Sequence, residues 1–109
     1  MTMLRPECEL NPANKPVLYG QSAYWAIYKA VAKRRSLIRG KLHDDKTGKH
    51  CAIGCFWDDK PDIALPTVIV DEIAAINDSL SARAMPKTRW RLVMRYLSRK
   101  LKTCYGIGS

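Results

Sequence analysis

Between Pro86 and Lys102 the apolar residues Trp90, Val93, Met94, Leu97 and Leu101 recur at helical spacing. At 100° per residue they fall within about 100° of arc, which is a stripe wide enough to seat a helix on a core. Arg91, Arg95, Arg99 and Lys102 gather on roughly the opposite side. Eight Lys and Arg stand from Arg83 to Lys102 with no acidic residue among them. Pro86 suits the first turn of this helix and the Gly106 region closes it. One helix therefore carries a core face and a cationic face, and its positive field attracts polyanions, acidic protein surfaces or anionic lipid.

Two further helices are predicted to pack with it. The first has Ser22 as its N-cap after the breaker Gly20, sets Tyr24, Ile27, Tyr28, Val31 and Ile38 on one face, and fades near Ser36 before Gly40. The second begins after Leu65 with Pro66 at its first turn. It buries Ile69, Ile73, Ile76 and Leu80 and ends over Asn77, Asp78 and Ser79. Between these helices Asp44, Asp45, Lys46, Thr47 and Gly48 read as a polar turn joining extended pieces at Gly40–His43 and Lys49–Phe56, a small hairpin. Ahead of them Pro6, Pro12 and Pro16 with Asn11 and Asn14 prevent regular structure. The expected fold is mainly α: one small domain of about three amphipathic helices with one short β-hairpin. It spans residues 22–105, between an extended arm at 1–21 and a flexible end at 106–109.

Size and charge set the class. A compact chain of 109 residues is one domain able to bury roughly 60% of the surface its unfolded form exposes. A 47% hydrophobic content with three Trp excludes a disordered tail, and the apolar runs fall far short of a membrane span. Met1 to Cys8 contains Arg5 and Glu7 with no apolar run behind them, so no signal peptide is read and a cytoplasmic location is expected. The net charge of +9 divides into +6 over residues 1–42, −5 over 43–80 and +8 over 81–109. That order lets the middle segment neutralise part of its neighbours once folded.

Arg39-Gly40-Lys41-Leu42, Thr47-Gly48-Lys49-His50-Cys51-Ala52-Ile53-Gly54 and Ala74-Ala75-Ile76-Asn77-Asp78 precede the final amphipathic helix. Together they resemble an uncharacterised family of small bacterial and phage proteins marked by a Gly-x-x-Cys-Ala-(Leu/Ile)-Gly segment and a downstream Asn-Asp pair. The resemblance runs from about Ser22 to Leu101 and implies a fold more than a function; it gives Cys51, Gly54, Asn77 and Asp78 no role beyond membership. The chain departs from the pattern in its dense basic content and in Cys55-Phe56-Trp57. Read without the family, Cys51-Ala52-Ile53-Gly54 is small and apolar and suits a segment packed beneath helices, with Gly54 permitting a turn or close backbone approach. Asn77-Asp78 at a helix end can accept backbone N–H groups.

No residue pattern announces catalysis. A nucleophilic Cys51 or Cys55 needs an adjacent base, for which His43 and His50 are the candidates. His43, His50, Cys51 and Cys55 place four ligand types close together, but the Cys spacing is loose for a zinc knuckle and His50 and Cys51 point to opposite sides of a strand. Asp44-Asp45 and Asp58-Asp59 read as solvated turn residues, Trp25 and Trp57 as core, and Gly106–Ser109 lacks the strand and helix of a phosphate loop. Cys8 and Cys104 are not expected to pair in a cytosolic chain. We therefore expect no cofactor, no metal and no enzymatic activity. Two partner classes remain, an acidic protein surface and a nucleic-acid phosphate backbone; no membrane partner is expected. Both use Arg91, Arg95, Arg99 and Lys102, with Arg34, Arg35, Arg39 and Lys41 beside them. Without a helix-turn-helix, zinc-finger or RNA-sheet signature, the reading leans to a small phage-type accessory or inhibitor protein docking on an acidic partner.

Overall fold

The computed structural model describes residues 15–40, 46, 48–81 and 83–106. Among them are four helices: α1 (Gly20–Ala32), α2 (Ala52–Asp59), α3 (Thr67–Asn77) and α4 (Pro86–Tyr105). Each packs on its neighbour in chain order, and α4 closes back onto α1. The fold is mainly helical, and its centre is Ala23, Ile27, Ala30 and Val31 of α1 with Ile53, Cys55 and Phe56 of α2, Ile73 of α3, and Val93 and Leu97 of α4, all fully buried.

The boundaries follow from local chemistry. Pro86 begins α4 where a missing N–H costs nothing, and Gly106 ends it in the left-handed region at φ 67°. Val93, Leu97 and Leu101 lie in the core while Trp90 and Met94 border it. The indole Nε1 of Trp90 donates to the Val31 carbonyl at 2.8 Å, tying α4 to the last turn of α1. Pro66 caps α3, which buries Ile69 and Ile73; Ile76 is half-buried, and Leu80 falls beyond the helix, half-buried as well.

The hairpin is replaced by a helix. Residues 52–56 are buried without alternation. Among the described residues no strand lies beside them, and a buried segment without a partner strand satisfies its backbone internally by winding into a helix. Its first turn is capped twice: the Cys51 sulfur accepts from Gly54 N at 3.4 Å, and the Asn77 Oδ1 accepts from Ala52 N at 3.0 Å. Gly54 is thus a buried helical residue and not a turn. Of the expected partner strand, Gly40–His43, residues 41–43 lie outside the described residues, as do Asp44, Asp45 and Thr47 of the expected turn.

The first helix also differs. It starts at Gly20 rather than at a Ser22 cap and stops at Ala32, short of Ser36. Gly20 takes φ 50°, and the Tyr105 hydroxyl lies 3.6 Å from where a Cβ would stand. In the following connection it is Leu37 that is buried, and Ile38 is only half-buried. Of the N-terminal arm, residues 1–14 lie outside the described residues; the remainder runs beside Ala64, with Leu18 N donating to Ala64 O at 3.0 Å and Ala64 N to Pro16 O at 2.8 Å.

Candidate functional site

Seated between α1 and α3, α4 turns Arg91, Arg95, Arg99 and Lys102 outward, and all four are exposed. Among the described residues no carboxylate pairs with any of them. Asp58, Asp59 and Glu72 of the middle segment are engaged elsewhere. Arg34 pairs with Asp58, Lys33 Nζ lies 2.7 Å from Asp59 Oδ2, and Lys100 Nζ lies 3.1 Å from Glu72 Oε2. The negative segment does neutralise cations on both sides of it in sequence, and the ridge of α4 is among the cations it leaves over.

Two clefts flank this ridge. Toward α1, Tyr28, Met94, Arg95, Ser98, Arg99 and Lys102 line a groove of about 450 Å³. Toward α3, a smaller cleft of about 150 Å³ lies among Ile76, Leu92, Tyr96 and the same two arginines. Beyond Tyr28 the ring of Trp25 stacks on it, with centroids 5.5 Å apart and planes 9° from parallel. The Lys29 ammonium lies 5.7 Å from the Trp25 ring centroid, within cation–π range. Trp25 is 41% exposed, so it is a surface residue rather than a core one. Its sequence neighbourhood carries the signal for this: Gln21, Ser22 and Lys29 share its side of α1, and the apolar positions lie opposite. Trp57 is half-buried against the core.

The other described candidate cations stand outside α4. Arg34 is held by Asp58. Arg35 is exposed at φ 62°, and Arg39 Nε donates to the Asp78 carbonyl at 3.2 Å. Both belong to the connection that meets the start of α4, where Leu37 N donates to Pro86 O at 3.1 Å. Along the helix from Pro86, Arg91 is about 7.5 Å and Arg95 about 13 Å further on at 1.5 Å per residue. Lys41 lies outside the described residues.

A carboxylate under the ridge fixes its support. Glu72 on α3 accepts hydrogen bonds from Tyr24 of α1 and Tyr96 of α4, besides its contact with Lys100. Burial alone would raise its pKa, but the three donors outweigh burial and hold it below the ordinary carboxylate value. Burial and the bond to Glu72 together push the Tyr96 hydroxyl up to about 12 and raise that of Tyr24 as well.

The Cys-Ala-Ile-Gly and Asn-Asp segments meet in space. Asn77 is buried, and besides capping Ala52 its Nδ2 donates to Ile38 O at 2.9 Å and to Asp78 Oδ1 at 2.8 Å. Asp78 Oδ1 also accepts from Gly40 N at 3.0 Å. Cys51, Ile53, Trp57, Asn77 and Asp78 border a mainly apolar cleft of about 160 Å³. Burial raises the pKa of the Cys51 thiol and pushes that of Cys55 up to about 12, disfavouring the thiolate a nucleophile or metal ligand needs. His50 Nε2 lies 3.8 Å from Asp58 Oδ1 and His43 is outside the described residues, among which no group of three His, Cys, Asp or Glu side chains is placed to hold a metal ion. No helix among the described residues is long and apolar enough to cross a membrane.

No protein-family model, curated protein or solved structure matches the chain.

Proposed function

We propose that this chain is a small non-enzymatic binding protein, of the phage-type accessory or inhibitor kind, that docks on an acidic protein partner through α4. The observation that carries this reading is the ridge of Arg91, Arg95, Arg99 and Lys102, exposed, without carboxylate partners among the described residues, and flanked by clefts that include aromatic and apolar side chains. Unpaired arginines beside aromatic and apolar depressions supply both the charge steering and the desolvated anchors of a protein interface. Burial of the Cys51 and Cys55 thiols, which raises their pKa values, weighs against either acting as a nucleophile.

The same ridge supports a second reading, contact with a nucleic-acid backbone. A helix neutralising about four phosphates of duplex DNA gives a log-log salt slope near −3.6, independent of duplex sequence. The test is capture from a lysate with and without nuclease, followed by titration of the captured component at increasing salt, for the parent and for a variant carrying Arg91→Glu, Arg95→Glu and Arg99→Glu. An acidic protein that survives nuclease, saturates at fixed stoichiometry and is lost with the variant is the expected result. Binding that is unchanged in the variant would sink the reading, and capture that vanishes with nuclease moves the partner to the nucleic-acid class.

A further inference from the structure

We infer that the partner's chain is received in the groove between α1 and α4, and that the occupant is an acidic segment bearing aromatic or aliphatic side chains, with Trp25 and Tyr28 as its apolar anchor. This rests on the reading of α4 as a protein-docking surface and says where on it, and by what chemistry, the partner sits.

Charge separates the two sides of the ridge. The cleft on the other flank backs onto Ile76 of α3 and Ser79 just after it, and is lined by two cations, Arg95 and Arg99. The α1 side adds Lys102 to those two. Neither wall of the α1–α4 groove has an acid: Gly20–Ala32 contains none, Pro86–Tyr105 contains none, and Lys29 adds a cation on the α1 side. The groove is also the larger space, about 450 Å³, with Tyr28 and Met94 among its lining residues and Arg95, Arg99 and Lys102 beside them. A purely ionic ligand has no use for Tyr28 and Met94. An acidic segment with interspersed large apolar side chains satisfies both, since it pairs its carboxylates with the arginines and buries its apolar groups against Met94, Tyr28 and the Trp25–Tyr28 stack.

The aromatic pair favours a peptide over a single-stranded nucleic acid. Base binding on an aromatic platform uses an open ring face. The Trp25 ring is already stacked on Tyr28 and approached by the Lys29 ammonium, so less of it is offered to a base, while the 41% of the residue that stays exposed is available to a side chain.

The test uses the full chain and three probes: fluorescently labelled poly-glutamate, a glutamate–tyrosine random copolymer of matching length, and oligothymidylate, each titrated at about 150 mM salt. The copolymer is expected to bind at least about tenfold more tightly than poly-glutamate, and Trp25→Ser, at an exposed site, should abolish that difference. Two further variants place one negative charge on either flank of the ridge, Ser98→Glu in the α1 groove and Ser79→Glu beside the α3 cleft. Ser98→Glu is expected to weaken copolymer binding at least about fivefold more than Ser79→Glu. Equal effects of the two, or equal affinity for both glutamate polymers, overturns the groove while leaving ridge docking intact. Copolymer binding that survives the triple Arg→Glu variant defeats the underlying reading instead. Tighter binding of oligothymidylate, with tryptophan fluorescence quenched in the parent but not in Trp25→Ser, overturns the peptide occupant.

Discussion

Arg89 and Arg95 stand less than two turns apart on α4 and have opposite fates. Arg89 is 1% exposed and donates to the carbonyls of Asn77, Leu80 and Ser81, the first at 2.5 Å and the second at 2.9 Å. Arg95 is exposed and borders two clefts. The difference is in what each faces. Arg89 looks into the end of α3, where helix carbonyls lack intrahelical partners and the dipole is negative, so a guanidinium with five donors closes the helix and the turn behind it. Arg95 looks at solvent. The same residue type on the same helix is thus scaffold in its first turn and exposed surface in the turns that follow.

The sharpest way to break this contrast is Arg89→Met, which strands three carbonyls in the interior. It should cost about 4 kcal/mol, read from urea midpoints at unchanged m-value, because each buried group left unsatisfied costs about 1–3 kcal/mol. A loss below about 1 kcal/mol would mean that water replaces the guanidinium and the contrast is false. Next comes Trp90→Ala, with about 3 kcal/mol expected from lost packing and the lost bond to Val31. Trp90→Phe, which keeps most of the packing, should recover more than half of that in the same denaturation series.

Glu72→Gln ranks third, at about 1.5 kcal/mol near neutral pH, since a neutral amide accepts more weakly from Tyr24, Tyr96 and Lys100. Its signature is the pH profile. The Glu72 pKa is depressed below its ordinary 4.5, so the unfolded chain takes up this proton first. That stability is present above 4.5 and is lost as the pH falls through the folded value. The parent should therefore destabilise more steeply than the variant below that point. On the alkaline side, Tyr96 is raised from 10 to about 12, so folded protein holds a proton that the unfolded chain releases, and stability falls across that interval. Melting curves of both proteins across the two ranges decide it. Smallest of all is the effect of Arg95→Glu on folding, within about 0.5 kcal/mol, because an exposed, unpaired helix charge contributes little. A larger loss in thermal denaturation would show that the ridge holds the scaffold too.

Much of the scaffold was legible from the sequence because its signals are local. The spacing of Val93, Leu97 and Leu101, a proline at one end and a glycine at the other, locate α4 without its neighbours. Ile69 and Ile73 do the same for α3. The α2 segment was misread because its apolar run, Ala52 to Trp57, is too short for periodicity to separate strand from helix, and the cap supplied by Asn77 arrives from 25 residues away.

The candidate site divides along the same line. That α4 has a cationic face follows from residue order alone, since a regular helix fixes which side chains share a side. Which cations stay unpaired did not follow, because Asp58 and Glu72 reach their partners only through the packing of α2 and α3. Arg89 looked like one more positive charge until the end of α3 was set against it, and Trp25 looked like core until α1 turned its other side inward. Sequence determines the faces of each helix through the geometry of the chain. Only the tertiary arrangement decides which faces meet, and hence which charges are satisfied within the molecule and which remain for a partner.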